Sequence, residues 1–257
     1  MPARPCVLVF SGLDPSGGAG IQADIEAVAA QGAHALTVVT ALTVQDNERV
    51  HGVAPVDSLL LTRQACVLVA SVAIRAVKIG IPGSVENADA IAGIVNRLRE
   101  GQPDLPVVLD PVLASGRGDA LARGNALAAL APLLAPAALL VPNLMEAAAL
   151  GIDADGTAAL PCPHVLVTGG HGKGDEVVNR WLRQRGGPAG GRAWRWPRLP
   201  GEFHGSGCTL ASAIAARLAL GETMEQALEN GQRYCNQALA DAYRIAPGQA
   251  IPRRIHP

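Results

Sequence analysis

CVLVFSGLDPSGGAGIQADIEAVAAQG, residues 6–32, is the stretch whose reading decides the fold. Its first five residues, Cys6 to Phe10, form a short apolar run of the length of a buried strand. Ser11 to Gly20 is a turn carrying four glycines, which lets backbone approach a ligand closely. Ile21, Ile25, Val28 and Ala29 then recur at helical spacing, and Gly32 supplies the stop. The order is strand, glycine loop, helix.

The same alternation continues outward. Residues 36–42 form a second apolar, β-branched run, and 51–56 can pair beside it as a neighbouring or edge strand. A helix is predicted over 56–72, then a strand over 76–79, and Ser84 is suited to cap a helix running to Arg99. Strands at 107–109, 138–141 and 165–167 follow, with a helix over 121–134 between the first two. Residues 180–200 read as a hairpin and loop. A helix carrying Leu210, Ala211, Ile214 and Leu218 comes next, and Thr223 with Gln226 opens a last one as a capping box. Strands and helices alternating this regularly imply parallel βαβ units in one doubly wound α/β sheet with helices on both faces. No repeat or linker divides the 257 residues, so a single domain over 1–257 is expected. In such sheets ligands bind outside the carboxyl ends of the strands. Those ends carry Gly12, Gly80, Asp110, Asn143 and Gly169.

Composition narrows the partners. Aromatic residues are only 3% of a chain that is 49% hydrophobic, so the core is built from Ala, Val, Leu and Ile. A net charge of −1 gives no reason to expect nucleic acid. One local exception is the arginine group Arg180, Arg183, Arg185, Arg192, Arg195 and Arg198, either a solvated hairpin or a rim that attracts phosphates. The five cysteines show no metal or disulfide spacing, the N-terminus lacks a signal pattern, and no run reaches membrane-span length. A reducing, cytoplasmic setting without membrane contact is expected.

Three groups carry chemistry. The loop from Gly12 to Gly20 follows neither the dinucleotide nor the Walker pattern, which leaves a small-ligand site or an ordinary tight turn. Gly205-Ser206-Gly207-Cys208 opens a helix, whose first N–H groups form an anion hole suited to a transferring phosphoryl group. The helix dipole there is expected to lower the Cys208 thiol pKa; otherwise Cys208 is a small residue at a packed turn. Asp110 and Glu146, with Asn143 nearby, follow two strands and could hold Mg²⁺ or serve as a cap and a surface acid. His171 and His204 could touch phosphate or fit turn positions with local hydrogen bonds. Trp181, Trp194 and Trp196 fit a sheet edge, a subunit contact or an adenine platform.

Taken together these residues resemble the hydroxymethylpyrimidine/phosphomethylpyrimidine kinase family of the ribokinase-like superfamily. The segments are SGLDPSGGAGIQAD at 11–24, TALTVQ at 40–45, VKIG at 77–80 and DPV at 110–112. PNL at 142–144 with Glu146 and Ala147, GGH at 169–171 and HGSGCTL at 204–210 complete the set. The resemblance covers nearly the whole chain and implies a ribokinase-like, mostly parallel sheet. It also implies an ATP-dependent kinase of thiamine biosynthesis, active as a homodimer with Mg²⁺-ATP. Gly12, Ala19, Asp24, Gln45 and Val112 would surround the aminopyrimidine, with Asp24 and Gln45 as its polar partners. Gly205, Ser206, Gly207 and Cys208 would form the catalytic anion hole, with Cys208 as base. Asn143, Thr168, Gly170 and Lys173 would contact ATP, and Asp110 and Glu146 would serve the metal.

Three departures from the family pattern stand out. Thr168 occupies the place of a lysine before Gly-Gly-His, and Gly116, followed by Arg117, stands where another lysine is common. Lys78 and Lys173 are the only lysines among the 21 Lys and Arg residues, so Arg117 or Lys173 would have to steady the γ-phosphate. The segment between Gly151 and His164 is also short for the family. A pyridoxal kinase of the same fold is one alternative; a pyrimidine-binding paralogue without turnover is the other.

Overall fold

A computed structural model describes residues 3–113, 126–152, 160–183 and 191–255. Arg117, its neighbouring glycines and the short 153–159 segment lie outside the described residues. The elements run β1 (Cys6–Leu13), α1 (Gly20–Ala30), β2 (His34–Gln45), β3 (Val50–Pro55), α2 (Ser58–Ser71), β4 (Ile74–Ile79), α3 (Val85–Gly101) and β5 (Val107–Leu109). They continue α4 (Ala126–Leu134), β6 (Leu139–Leu140), α5 (Leu144–Ala149), β7 (His164–Val167), β8 (Glu176–Arg183), β9 (Arg192–Pro197), α6 (Ser206–Ala219) and α7 (Met224–Ala240).

Among the described residues nine strands form one sheet in the order β3-β2-β1-β4-β5-β6-β7-β8-β9. The strands from β2 to β7 are parallel, while β3 at one edge and β8–β9 at the other are antiparallel. The chain leaves β1 toward β2 and β3, then returns to place β4 on the other side. That reversal puts the crevice for a ligand beside the ends of β1 and β4.

β1 shows why the sheet takes helices on both faces. Leu8 and Phe10 pack into the core with α2, α3 and α4, while Val7 and Val9 pack into the core with α1, α6 and α7. All four are fully buried, each contributing about 1.5–3 kcal/mol for the larger side chains. Ser84 caps α3 by accepting from Asn87 N, and Thr223 with Gln226 forms the expected capping box on α7. Asp57 moves the start of α2 two residues later than the apolar pattern suggests, because its carboxylate accepts from Leu60 N. No helix among the described residues is long and apolar enough to cross a membrane.

Candidate active site

One cavity of about 860 Å³ runs along the carboxyl ends of the strands. Gly12, Ala19, Gln45 and Val112 line it, as do Asn143, Thr168 and Gly170. Gly205 to Cys208, Asp110 and Glu146 lie on its wall as well. Two expected residues stand elsewhere. Lys173 is exposed on the turn after β7 and outside the cavity wall. Asp24 is fully buried on α1, where its Oδ1 accepts from Ser212 Oγ at 2.6 Å and pairs with Lys78 Nζ at 2.8 Å. An acid at a helix position facing the sheet takes a charge partner from the core, and Lys78 on β4 is that partner.

Asp14 does meet the cavity, and it organises the glycine loop. Its carboxylate accepts from Ser16 N and Ala19 N, each at 2.8 Å, and from Ser16 Oγ at 3.0 Å. His204 Nε2 lies 2.7 Å from Asp14 Oδ2 and 3.1 Å from Gln45 Nε2. Burial works to raise the Asp14 pKa, but hydrogen bonds from His204 and Ser16 outweigh it and hold the carboxyl below its usual range. The contacts of His204 reach beyond its own turn and join the glycine loop to the β2 wall. Gly18 permits this, since a Cβ there would run into the imidazole. The spacing gave one clue: His204 directly precedes Gly205.

Gly205 caps α6 from the left-handed region, φ 77°. Thr209 N is the first amide of the helix to bond back, to Gly205 O at 2.9 Å. The amides of Ser206, Gly207 and Cys208 are therefore the helix's open donors, and these residues line the cavity. Gly207 faces Asp110: a Cβ on it would sit 3.7 Å from both carboxylate oxygens.

Electrostatics at this wall differ from the sequence expectation. Cys208 keeps a partial opening to the cavity, yet the protein around it pushes the thiol up to about 12. Burial is the largest cause; Asp24 and Asp110 add to it, while Lys78 and a hydrogen bond from Gly20 N oppose it. The dipole of α6 loses to desolvation and two carboxylates. Asp110 is raised to about 6 by burial, against the pull of Lys78. Glu146 is raised to about 8 by burial and by Asp110.

Asn143 and Glu146 form a capping box on α5. Asn143 Oδ1 accepts from Met145 N at 2.9 Å and Glu146 N at 3.0 Å, and Glu146 Oε2 accepts from Asn143 N at 2.8 Å. The cap and the metal roles are therefore compatible, because Glu146 still lines the cavity. The donors suit Mg²⁺: two carboxylates repel each other across the wall, and Asp110 Oδ2 is buried without a partner. No group of three or more His, Cys, Asp or Glu ligands occurs among the described residues. A hard ion that keeps its waters and takes phosphate oxygens fits that set better than one needing a protein cage.

A pH effect follows. Folded pKa values of about 6 and about 8 lie above the ordinary carboxyl range near 4, so the folded state holds protons that the unfolded state has released. Stability should therefore fall as pH rises from about 4 to about 8, then level off. Thermal unfolding across that range, with Glu146→Gln as the flattened control, checks the sign; a rise in midpoint toward pH 8 would contradict it.

Four of the six arginines are engaged with protein groups, and Arg185 lies outside the described residues. Arg192 pairs with Glu225 and Glu229, and Arg195 with Glu176. Arg183 stacks on Trp181, and Trp181 and Trp194 are buried against the sheet. Arg198 reaches the cavity wall but donates to the carbonyls of Gly170, Gly174 and Glu176, tying the turn after β7.

Comparison with known proteins agrees with this geometry. The family model for phosphomethylpyrimidine kinase matches residues 14–252. The chain is 34% identical over 96% of its length to a thiamine biosynthesis multifunctional protein ThiED of Corynebacterium glutamicum, spanning about a third (33%) of that protein. It is 37% identical to a hydroxymethylpyrimidine/phosphomethylpyrimidine kinase of Mycobacterium tuberculosis, with 95% of this chain and 91% of that one covered. Among solved structures, pyridoxal kinase of Bacillus subtilis in an ADP complex superposes with a TM-score of 0.85, covering 98% of each chain at 24% identity. That last likeness speaks for the ribokinase-like fold alone. With its family model spanning almost all of its length and its glycine loop and anion hole sharing one cavity, this chain belongs to the phosphomethylpyrimidine kinase family and is a kinase.

Proposed function

We propose that the protein uses Mg²⁺-ATP to phosphorylate the hydroxymethyl group of 4-amino-5-hydroxymethyl-2-methylpyrimidine and then the resulting monophosphate. The observation that carries this reading is the meeting of the α6 anion hole with Asp110 inside one cavity, 3.7 Å from a Cβ built on Gly207. Gln45, Ala19 and Val112 hold the pyrimidine, with Asp14 and His204 fixing the loop beside it. The substrate oxygen attacks the γ-phosphorus as the bond to the bridging oxygen of ADP breaks. N–H groups of Ser206, Gly207 and Cys208 meet the charge on the transferring oxygens. The sulfur of Cys208 accepts the hydroxyl proton while its own S–H, which faces Asp110, passes toward that carboxylate. A weak base suffices, because phosphoryl transfer rests mainly on positioning and charge stabilisation. Asp110 and Glu146 would hold Mg²⁺, which neutralises the phosphates when bound. Asn143, Thr168 and Gly170 receive the nucleotide.

Replacing Cys208 with Ala should lower kcat by about 100-fold with little change in pyrimidine affinity. An unchanged kcat would remove the base role. The function itself is tested by phosphorus NMR with Mg²⁺-ATP and, separately, the hydroxymethylpyrimidine, its monophosphate and pyridoxal. Monophosphate and pyrophosphate signals from the pyrimidines are expected. Turnover of pyridoxal alone, or binding without product, would overturn the proposal. A cytoplasmic homodimer belongs to the same reading: all five cysteines are free thiols, and Leu42, Val44 and Val67 leave apolar surface for a second copy.

A further inference from the structure

Arg254 lies in the segment after α7 and is only 1% exposed, the largest fully buried side chain in the described residues. Its guanidinium extends beneath both ligand loops. Nε donates to Thr209 Oγ1 at 2.8 Å, and Thr209 Oγ1 donates to Gly205 O, also at 2.8 Å. Nη2 donates to Gly18 O in the glycine loop and to His204 O at 3.5 Å in the anion-hole loop. Nη1 meets Glu26 Oε2 at 3.2 Å, the one partner outside the two loops and their helix turn. A Cβ on Gly205 would lie 2.9 Å from Nη2, so the charge sits directly behind the open amides of α6. The carbonyl of Arg254 is itself fixed by the Tyr234 hydroxyl at 2.8 Å.

A core arginine that served stability alone could take its acceptors anywhere. Two of the four groups here belong to the loops that meet substrate and phosphate, and a third, Thr209, to the first turn of α6. A planar fork reaching in several directions is needed for this, which a lysine does not supply. We propose that Arg254 is a positioning residue for phosphoryl transfer. It clasps the glycine loop to the anion hole and lays a permanent positive charge behind the amides. The inference rests on the kinase reading of this site.

The test uses the full-length protein with Arg254→Lys, Arg254→Met and Glu26→Gln, assayed well below each variant's unfolding midpoint. Calorimetry with the ATP analogue AMP-PCP reports nucleotide affinity without requiring turnover. Arg254→Lys should lose about 100-fold in kcat/KM, since a displacement near 1 Å suffices, while pyrimidine affinity stays within a few fold. Glu26→Gln frees the guanidinium of its counter-charge, so AMP-PCP should bind about two- to fivefold tighter, the range for a charge acting at a helix terminus. A stabilising role alone would leave that affinity unchanged. If the Arg254 variants do not fold, Glu26→Gln still decides. Wild-type kcat and AMP-PCP affinity in Arg254→Lys, or no tightening in Glu26→Gln, would overturn the proposal. Should the wild type bind AMP-PCP but transfer no phosphate, the kinase reading fails while the Glu26→Gln result still judges the clasp.

Discussion

Replacing Gly205 with Ala is expected to lower turnover by about 10²–10³-fold, the loss seen when an oxyanion donor is misplaced. Two costs coincide at this residue. Its φ of 77° charges any other residue about 1–2 kcal/mol. The new methyl would also run into Gly18 O and lie 2.9 Å from Ala19 Cα and Arg254 Nη2. Backbone and a buried guanidinium cannot yield as a side-chain tip would, so the loops must part. Gly207→Ala is the contrasting variant: its methyl would meet Asp110 at an ordinary 3.7 Å, and the unfolding midpoint should stay near wild type. Stopped-flow turnover and thermal unfolding of both variants measure the difference. A Gly205→Ala protein with a tenth or more of native turnover would mean that phosphate is held elsewhere.

Lys78→Met should destabilise the fold by about 3–5 kcal/mol, because one partner of a buried ion pair is removed while the other stays. Nothing else can neutralise the site: Lys78 and Asp24 are both fully buried, and the second oxygen of Asp24 has no partner. Burial alone would push the Lys78 pKa down, but Asp24, Cys208 and Asp110 outweigh it and the pKa is raised. A raised folded pKa means that this stabilisation is fully present below the ordinary lysine value near 10.4 and fades only above it. The loss should therefore be the same at pH 6 and pH 9. At roughly 2–4 °C per kcal/mol for a chain of this size, the midpoint should fall by about 10 °C. Adding Asp24→Asn should recover part of that, which a double-mutant cycle would quantify. A double variant whose loss equals the sum of the two single losses would show that the pair is not coupled.

Much of this could be read from the residues because local rules and global fold agree. The apolar alternation of Val7 to Phe10, the glycines after β1 and the caps at Ser84 and Thr223 each act within a few positions. The strand-end rule made Gly12, Asp110 and Asn143 legible as cavity residues, the helix start pointed to Gly205–Cys208, and Gln45 came only with the family resemblance. What stayed hidden depends on long-range partners. Asp24 was expected as a ligand from the family resemblance alone, and its partner Lys78 is 54 residues away in a different element. A lysine inside the apolar run of β4 was the available clue. The Cys208 pKa was misjudged for the same reason, since the helix dipole is local whereas burial and the two carboxylates come from β5 and α1. Thr168 and the arginines show the converse case: a change of residue type was visible, but its consequence rests on contacts made across the sheet.

The clasp by Arg254 has a consequence for how the molecule comes into being. Gly18 and its guanidinium partner are 236 residues apart in the chain. A nascent chain on the ribosome can pair β1 with β2 and β4 long before residue 254 has left the exit tunnel. Until then the glycine loop and the start of α6 have no common anchor, and the stretch that joins them is translated after both. Scaffold before competence is the order of assembly this connection imposes, with a contact of such long range forming against a large loop entropy.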